Sequence, residues 1–150
     1  MTVLVMFEDE PNNPAPESAS VNFGQVVAGN TSPEKVRYVS HTNTSEIFDV
    51  KLFITGTDAA TIAGWASAGK GGIFVKEGAS TEWVALSGTS YDTGYLLATN
   101  GGKIPMHDDP NQDGIWDGEV MLTFKVQVPS DAVAKQYSCY ITAGFKYYEG

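Results

Sequence analysis

Residues 119–129 read EVMLTFKVQVP. Successive side chains of an extended strand point to opposite faces, so Val120, Leu122, Phe124, Val126 and Val128 share one side while Met121, Thr123, Lys125 and Gln127 share the other. Such a stretch buries one face and offers the other to water or to a neighbour. Residues 137–148, YSCYITAGFKYY, repeat the alternation, with Tyr137, Cys139, Ile141, Ala143, Phe145 and Tyr147 in phase and Tyr140, Thr142, Lys146 and Tyr148 out of phase. Working outward, IFDVKLFIT (47–55), GIFVKE (72–77), TEWVALS (81–87) and TGYLLAT (93–99) are shorter β-rich runs bounded by Gly, Ser, Thr and Asn. One helix is expected, in TDAATIAGW (57–65), with Thr57 or Asp58 as its cap and Gly64 as its stop. Many short strands with a turn signal about every ten residues predict an all-β fold, an antiparallel β-sandwich or jelly roll.

The 150 residues suffice for a single core and are too few for two. Nine basic against 18 acidic residues leave a net charge of −9, which repels nucleic acid and anionic membranes over most of the surface. Neither is expected as a partner. One cysteine, Cys139, excludes an internal disulfide and a cysteine-based zinc site. The opening MTVLVMFEDE has no basic stretch, only a short apolar run, and turns acidic at once, unlike a secretory signal. The chain is therefore expected to be either made and used in the cytoplasm or cut from a longer precursor, with Met1 at its start favouring an independent product.

Ahead of the strands, residues 1–20 read as an extended N-terminal arm and residues 21–150 as the sandwich domain. The arm begins with an apolar strand carrying Val3, Val5 and Phe7 and continues as EDEPNNPAPESAS (8–20), where Pro11, Pro14 and Pro16 impose a polyproline-like stiffness. Fully extended, that second part reaches roughly 43 Å. An apolar strand on such a reach suits an open sheet edge, on the same chain or on a neighbour, and these six residues are the expected partner-binding set.

The stretch VNFGQVVAGNTSPEKVRYVSHTNTSEIFDVKLFITGTD (21–58) resembles the opening of immunoglobulin-like domains of prokaryotic and viral surface proteins. The end, VPSDAVAKQYSCYITAGFKY (128–147), is similar to their last hairpin; residues 70–117 lie outside the likeness, which implies an architecture and not an activity. A small acidic β-domain opening with a strand and a proline-rich arm also resembles the capsid decoration proteins of tailed bacteriophages. That resemblance implies a homotrimer on the outer surface of a virion, made in the host cytoplasm, with the major capsid protein or other shell subunits as partners. The alternative is an immunoglobulin-like module of a prokaryotic surface or phage tail protein, stabilised by calcium.

The calcium expectation comes from DPNQDGIWD (109–117). Asp109, Asn111 and Asp113 stand at positions 1, 3 and 5 of a cation loop, Gly114 at the turn position, Ile115 where a carbonyl serves, and Asp117 where a ligand acts through water. The twelfth position, which needs Glu in an EF-hand, is Val120. The stretch is therefore either a looser Ca2+ loop or a plain acidic turn. If it holds the ion, chelation lowers the melting temperature and Asp113→Ala removes that difference; equal melting with and without chelator means a turn.

No constellation points to catalysis. GWASAGKG (64–71) has part of the phosphate-loop spacing but ends in Gly71 instead of Ser or Thr and opens a strand. Cys139 beside His41 or His107 would need an exposed thiolate, whereas its phase with Ile141 predicts a buried, inert thiol. Trp65, Trp83 and Trp116 could stack on a carbohydrate, a third reading, or fill core and interface. The expectation is a structural interaction protein and not an enzyme.

Overall fold

The computed structural model describes residues 5–8, 18–19, 25–41, 45–78, 80–106 and 120–147. Nine strands and one α-helix lie in these segments: β1 (Val5–Glu8), β2 (Ser18–Ala19), β3 (Lys35–His41), β4 (Phe48–Thr55), α1 (Ala59–Ser67), β5 (Gly72–Glu77), β6 (Val84–Ala85), β7 (Tyr95–Leu96), β8 (Val120–Gln127) and β9 (Tyr140–Lys146). They form an all-β antiparallel sandwich. One sheet has the order β1-β3-β8-β5-β6 and the other β2-β9-β4-β7. Apart from the β5–β6 hairpin, each strand is followed by one in the opposite sheet.

The alternation expected for β8 is realised at Val120, Leu122 and Phe124, but Thr123, expected on the outer side, is buried, and Val126 and Val128 are only half-buried. Leu122 and Phe124 are fully buried while Met121 and Lys125 stay partly exposed. In β4, Val50, Leu52 and Ile54 are buried and Lys51, Phe53 and Thr55 face outward. The register sets Leu52 opposite Ala143 and Ile54 opposite Ile141 on β9, which brings the apolar phases of both strands onto one inner surface. A side chain of this size contributes about 2 kcal/mol when buried, so the two inner surfaces supply the main force holding the sheets together.

Asp49 interrupts β4 with a positive φ of 50°, and the pairing with β9 shifts between Phe48 and Lys51. This is a β-bulge. It turns the Asp49 carbonyl out to accept a hydrogen bond from the Tyr91 hydroxyl at 2.6 Å, and Tyr91 lies across Gly144 so closely that a Cβ there would stand 2.4 Å from its ring.

The helix differs from expectation at both ends. Asp58 occupies the N-cap position without a side-chain capping bond, and the helix runs past Gly64 to Ser67. Gly64 is exposed with nothing near it, so its cost of roughly 1 kcal/mol is carried by the burial of Ile62 and Ala63. The stop is Gly69, at φ +71°, whose N–H reaches the Ala66 carbonyl while that of Lys70 reaches Trp65. The glycine-rich stretch 64–71 is thus the end of a helix leading into β5, the reverse of a phosphate loop.

Gly88 holds the β6–β7 connection against its own far side. Its carbonyl accepts from Ile54 N–H, and a Cβ on it would lie 2.1 Å from the backbone oxygen of Thr93. Gly88→Ala is expected to cost about 3 kcal/mol, read as a lowered urea midpoint at unchanged slope. An unchanged midpoint would mean that this connection moves aside freely.

Candidate functional site

The first candidate is the pair of sheet edges formed by the N-terminal segment. β1 pairs antiparallel with β3, with Val5 opposite His41 and Phe7 opposite Val39. β2 pairs antiparallel with β9, Ser18 opposite Thr142 and Ala19 opposite Ile141. The segment therefore starts on the edge of one sheet and finishes on the edge of the other, with β1 and β2 in contact on the same side of the sandwich. Of the expected partner-binding residues, Val5 and Phe7 lie in β1, whereas Val3, Pro11, Pro14 and Pro16 lie outside the described residues. So do Asp109, Asn111, Asp113, Ile115 and Asp117 of the cation-loop expectation. Among the described residues, no three His, Cys, Asp or Glu side chains come together as metal ligands would.

The second candidate is a cleft of about 310 Å³ between β5, β6 and the β7 region, lined by Val75, Glu77, Glu82, Val84, Tyr95 and Thr99. Sequence reasoning passed over Glu77, although the signal was there: Glu77 continues the inward phase of Ile73 and Val75. Only 8% of it is exposed. Its carboxylate accepts hydrogen bonds from the Tyr95 hydroxyl at 2.5 Å, Ala98 N–H at 2.8 Å, Thr99 N–H at 2.9 Å and the Thr99 hydroxyl at 2.7 Å. Burial pushes its pKa up, but these four donors together outweigh burial and hold it below the usual value. The Tyr95 phenol is pushed up to about 12, by burial first and then by the neighbouring carboxylate. With its lone pairs so engaged, Glu77 ties β5 of one sheet to the β7 region of the other.

Asp58 makes a comparable clamp at the start of α1, receiving Lys135 Nζ at 2.8 Å and Ser138 N–H at 2.8 Å. The hydrogen bond from Lys135 is the main reason its pKa is lowered. This fixes the β8–β9 connection to the start of α1, and Trp65 packs edge-on against Tyr137 there, ring centres 4.9 Å apart. Trp65 is therefore a packing residue, not an open stacking platform. Trp116 lies outside the described residues.

Cys139 is partly buried, and burial followed by the charge of Asp58 pushes its thiol up to about 11. That is the opposite of what a thiolate nucleophile needs. The buried His41 donates from Nε2 to the Pro105 carbonyl at 2.6 Å, since a carbonyl can only accept. His107 lies outside the described residues.

Among the described residues, Trp83 is the tryptophan set on an outer sheet face. Lys125 Nζ lies 4.1 Å and Lys76 Nζ 5.1 Å from its ring centre. Lys125 is also 5.8 Å from the ring centre of Phe74, its cross-strand partner. No helix among the described residues is long and apolar enough to cross a membrane. No family model, no curated protein and no solved structure matches this chain.

Proposed function

We propose that the protein is a structural interaction module, a decoration protein that binds the outer surface of a tailed-phage capsid as a homotrimer and strengthens the shell. The observation that supports this reading most is the placement of β1 and β2 on the edges of both sheets. An edge strand leaves one row of main-chain donors and acceptors open, and a strand of the major capsid protein or another shell subunit can pair with it. The body sits on the shell while the N-terminal segment adds a second point of attachment. Because the protein binds only the assembled lattice, each bound copy stabilises the shell by mass action.

The test is to mix the full chain with undecorated phage shells, wash, and heat. Retention through the wash together with a higher shell melting temperature is the expected result. Loss of the protein in the wash, with shells melting as they do alone, overturns the reading.

A further inference from the structure

Asn100 is the one asparagine of the chain followed by glycine. Such a pair is open to a reaction that needs only water. The backbone nitrogen of the glycine, unhindered because its residue carries no Cβ, attacks the asparagine Cγ. A new N–Cγ bond closes a succinimide ring, the attacking nitrogen gives up its proton, and the side-chain nitrogen leaves as ammonia. Water then opens the ring at either carbonyl. The product is aspartate or isoaspartate, the latter with an added methylene in the main chain.

The fold sets this pair in a short 3-10 helix, Thr99–Gly101, where Asn100 holds φ 50° and ψ 30°. Two features of that turn oppose ring closure. Substituents on a tetrahedral Cα are spread evenly about the Cα–C bond, so at this ψ the Gly101 nitrogen stands near the Asn100 nitrogen and almost opposite Cβ, out of reach of Cγ. The Gly101 N–H also donates to the Ala98 carbonyl at 3.1 Å, which retains the proton that attack must release. Space is not the obstacle. Asn100 and Gly101 are both exposed, and beyond the chain neighbours nothing lies within 4 Å of where a Gly101 Cβ would stand. The turn must open before the reaction can run.

Two residues hold it shut. Val50 of β4 pins the base, its carbonyl accepting from Leu97 N–H and its N–H donating to the Gly102 carbonyl, both at 2.9 Å. Glu77 pins the middle, accepting from Ala98 N–H, Thr99 N–H and the Thr99 hydroxyl. A turn fastened this way opens locally once its acceptor is lost, while the rest of the sandwich stays folded.

We propose that Asn100–Gly101 is a latent modification site, kept from conversion to aspartate and isoaspartate by a turn that the Glu77 carboxylate latches. Conversion is one-way. It creates a second carboxylate next in sequence to Thr99, a donor to Glu77, and isoaspartate lengthens the main chain between the two Val50 anchors. Like charge and altered length both oppose re-closing. Copies whose turn has opened therefore accumulate a permanent mark, and Glu77 guards the chain against it as well as tying the sheets together.

The full chain is incubated at mildly alkaline pH, where the latch is charged, and position 100 is read by peptide mapping with mass spectrometry. Folded wild type is compared with Glu77→Gln, with Thr99→Val, which removes one donor and leaves the other three, and with the peptides LATNGGK and LAVNGGK. Spectra confirm that the variants are folded. Wild type is expected to react at least tenfold more slowly than its peptide, Glu77→Gln to recover most of that factor, and Thr99→Val to fall between. Wild type reacting as fast as the peptide overturns protection by the turn. Folded variants reacting at the wild-type rate overturn the latch, and Thr99→Val decides this alone if Glu77→Gln does not fold. Converted wild type is expected to melt below fresh protein; equal melting overturns the claim that conversion leaves the turn open.

Discussion

A chain lacking residues 1–20 is expected to wash off undecorated shells, with retention at least tenfold below that of the full chain. The physical reason is avidity. A second attachment made by the same molecule is intramolecular once the body is bound, and linked contacts of this kind raise overall affinity by roughly 10² to 10⁴. Deletion removes β1 and β2 but none of the buried apolar side chains found from Val39 to Ile141. A folded body of β3 to β9 is therefore expected, visible as a retained β-sheet spectrum, with the edges of β3 and β9 newly uncovered. Equal retention of the truncated and full chains would end the role assigned to the N-terminal segment.

Glu77→Ala is expected to be the most damaging single substitution in the cleft. It leaves the Tyr95 and Thr99 hydroxyls and the N–H groups of Ala98 and Thr99 without their acceptor. A loss of about 3 kcal/mol follows, or roughly 10 °C in melting temperature for a domain of this size. The effect depends on pH in a definite sense. Because the folded-state pKa of Glu77 lies below the 4.5 of a free glutamate, its contribution is present above 4.5 and is lost as pH falls through the folded value. The gap between wild type and variant should narrow in acid. Tyr95 acts in the opposite direction: raised from 10 to about 12, it contributes fully below pH 10 and loses that contribution as pH rises toward 12. Melting curves at pH 3, 7 and 11 check all three statements. A gap that does not change between pH 7 and pH 3 would mean that the carboxylate charge is not what the four donors recognise.

Strand existence was legible because burial on one face writes a period of two into the chain. β8 shows it at Val120, Leu122 and Phe124 and β9 at Ile141, although Thr123 is buried out of phase and residues 142–145 are all half-buried. The helix end was misread because Gly64 is a breaker only where packing does not override propensity; the burial of Ile62 and Ala63 does override it. Asp58 was read as a cap since its position is right, yet its carboxylate is drawn away by Lys135 and Ser138, which are far off in sequence. Glu77 could have been found, as a charge in phase with core residues. The Lys76–Trp83–Lys125 face could not, since it depends on the β5–β8 register, which sets Phe74 opposite Lys125 and Lys76 opposite Thr123. No local pattern encodes a pairing across so many residues.

The antiparallel pairing of Ser18 with Thr142 also sets a timetable. A ribosome adds roughly 5–20 residues per second, so the backbone groups of β2 leave it roughly 6 to 25 seconds before those of β9 exist. β1 waits less, since β3 follows within a few dozen residues. During synthesis the stretch that carries β1 and β2 is therefore half seated, with one strand placed and the other idle. In a crowded polysome, many nascent chains reach that stage side by side, and an idle strand meets its neighbours before it meets its own tail.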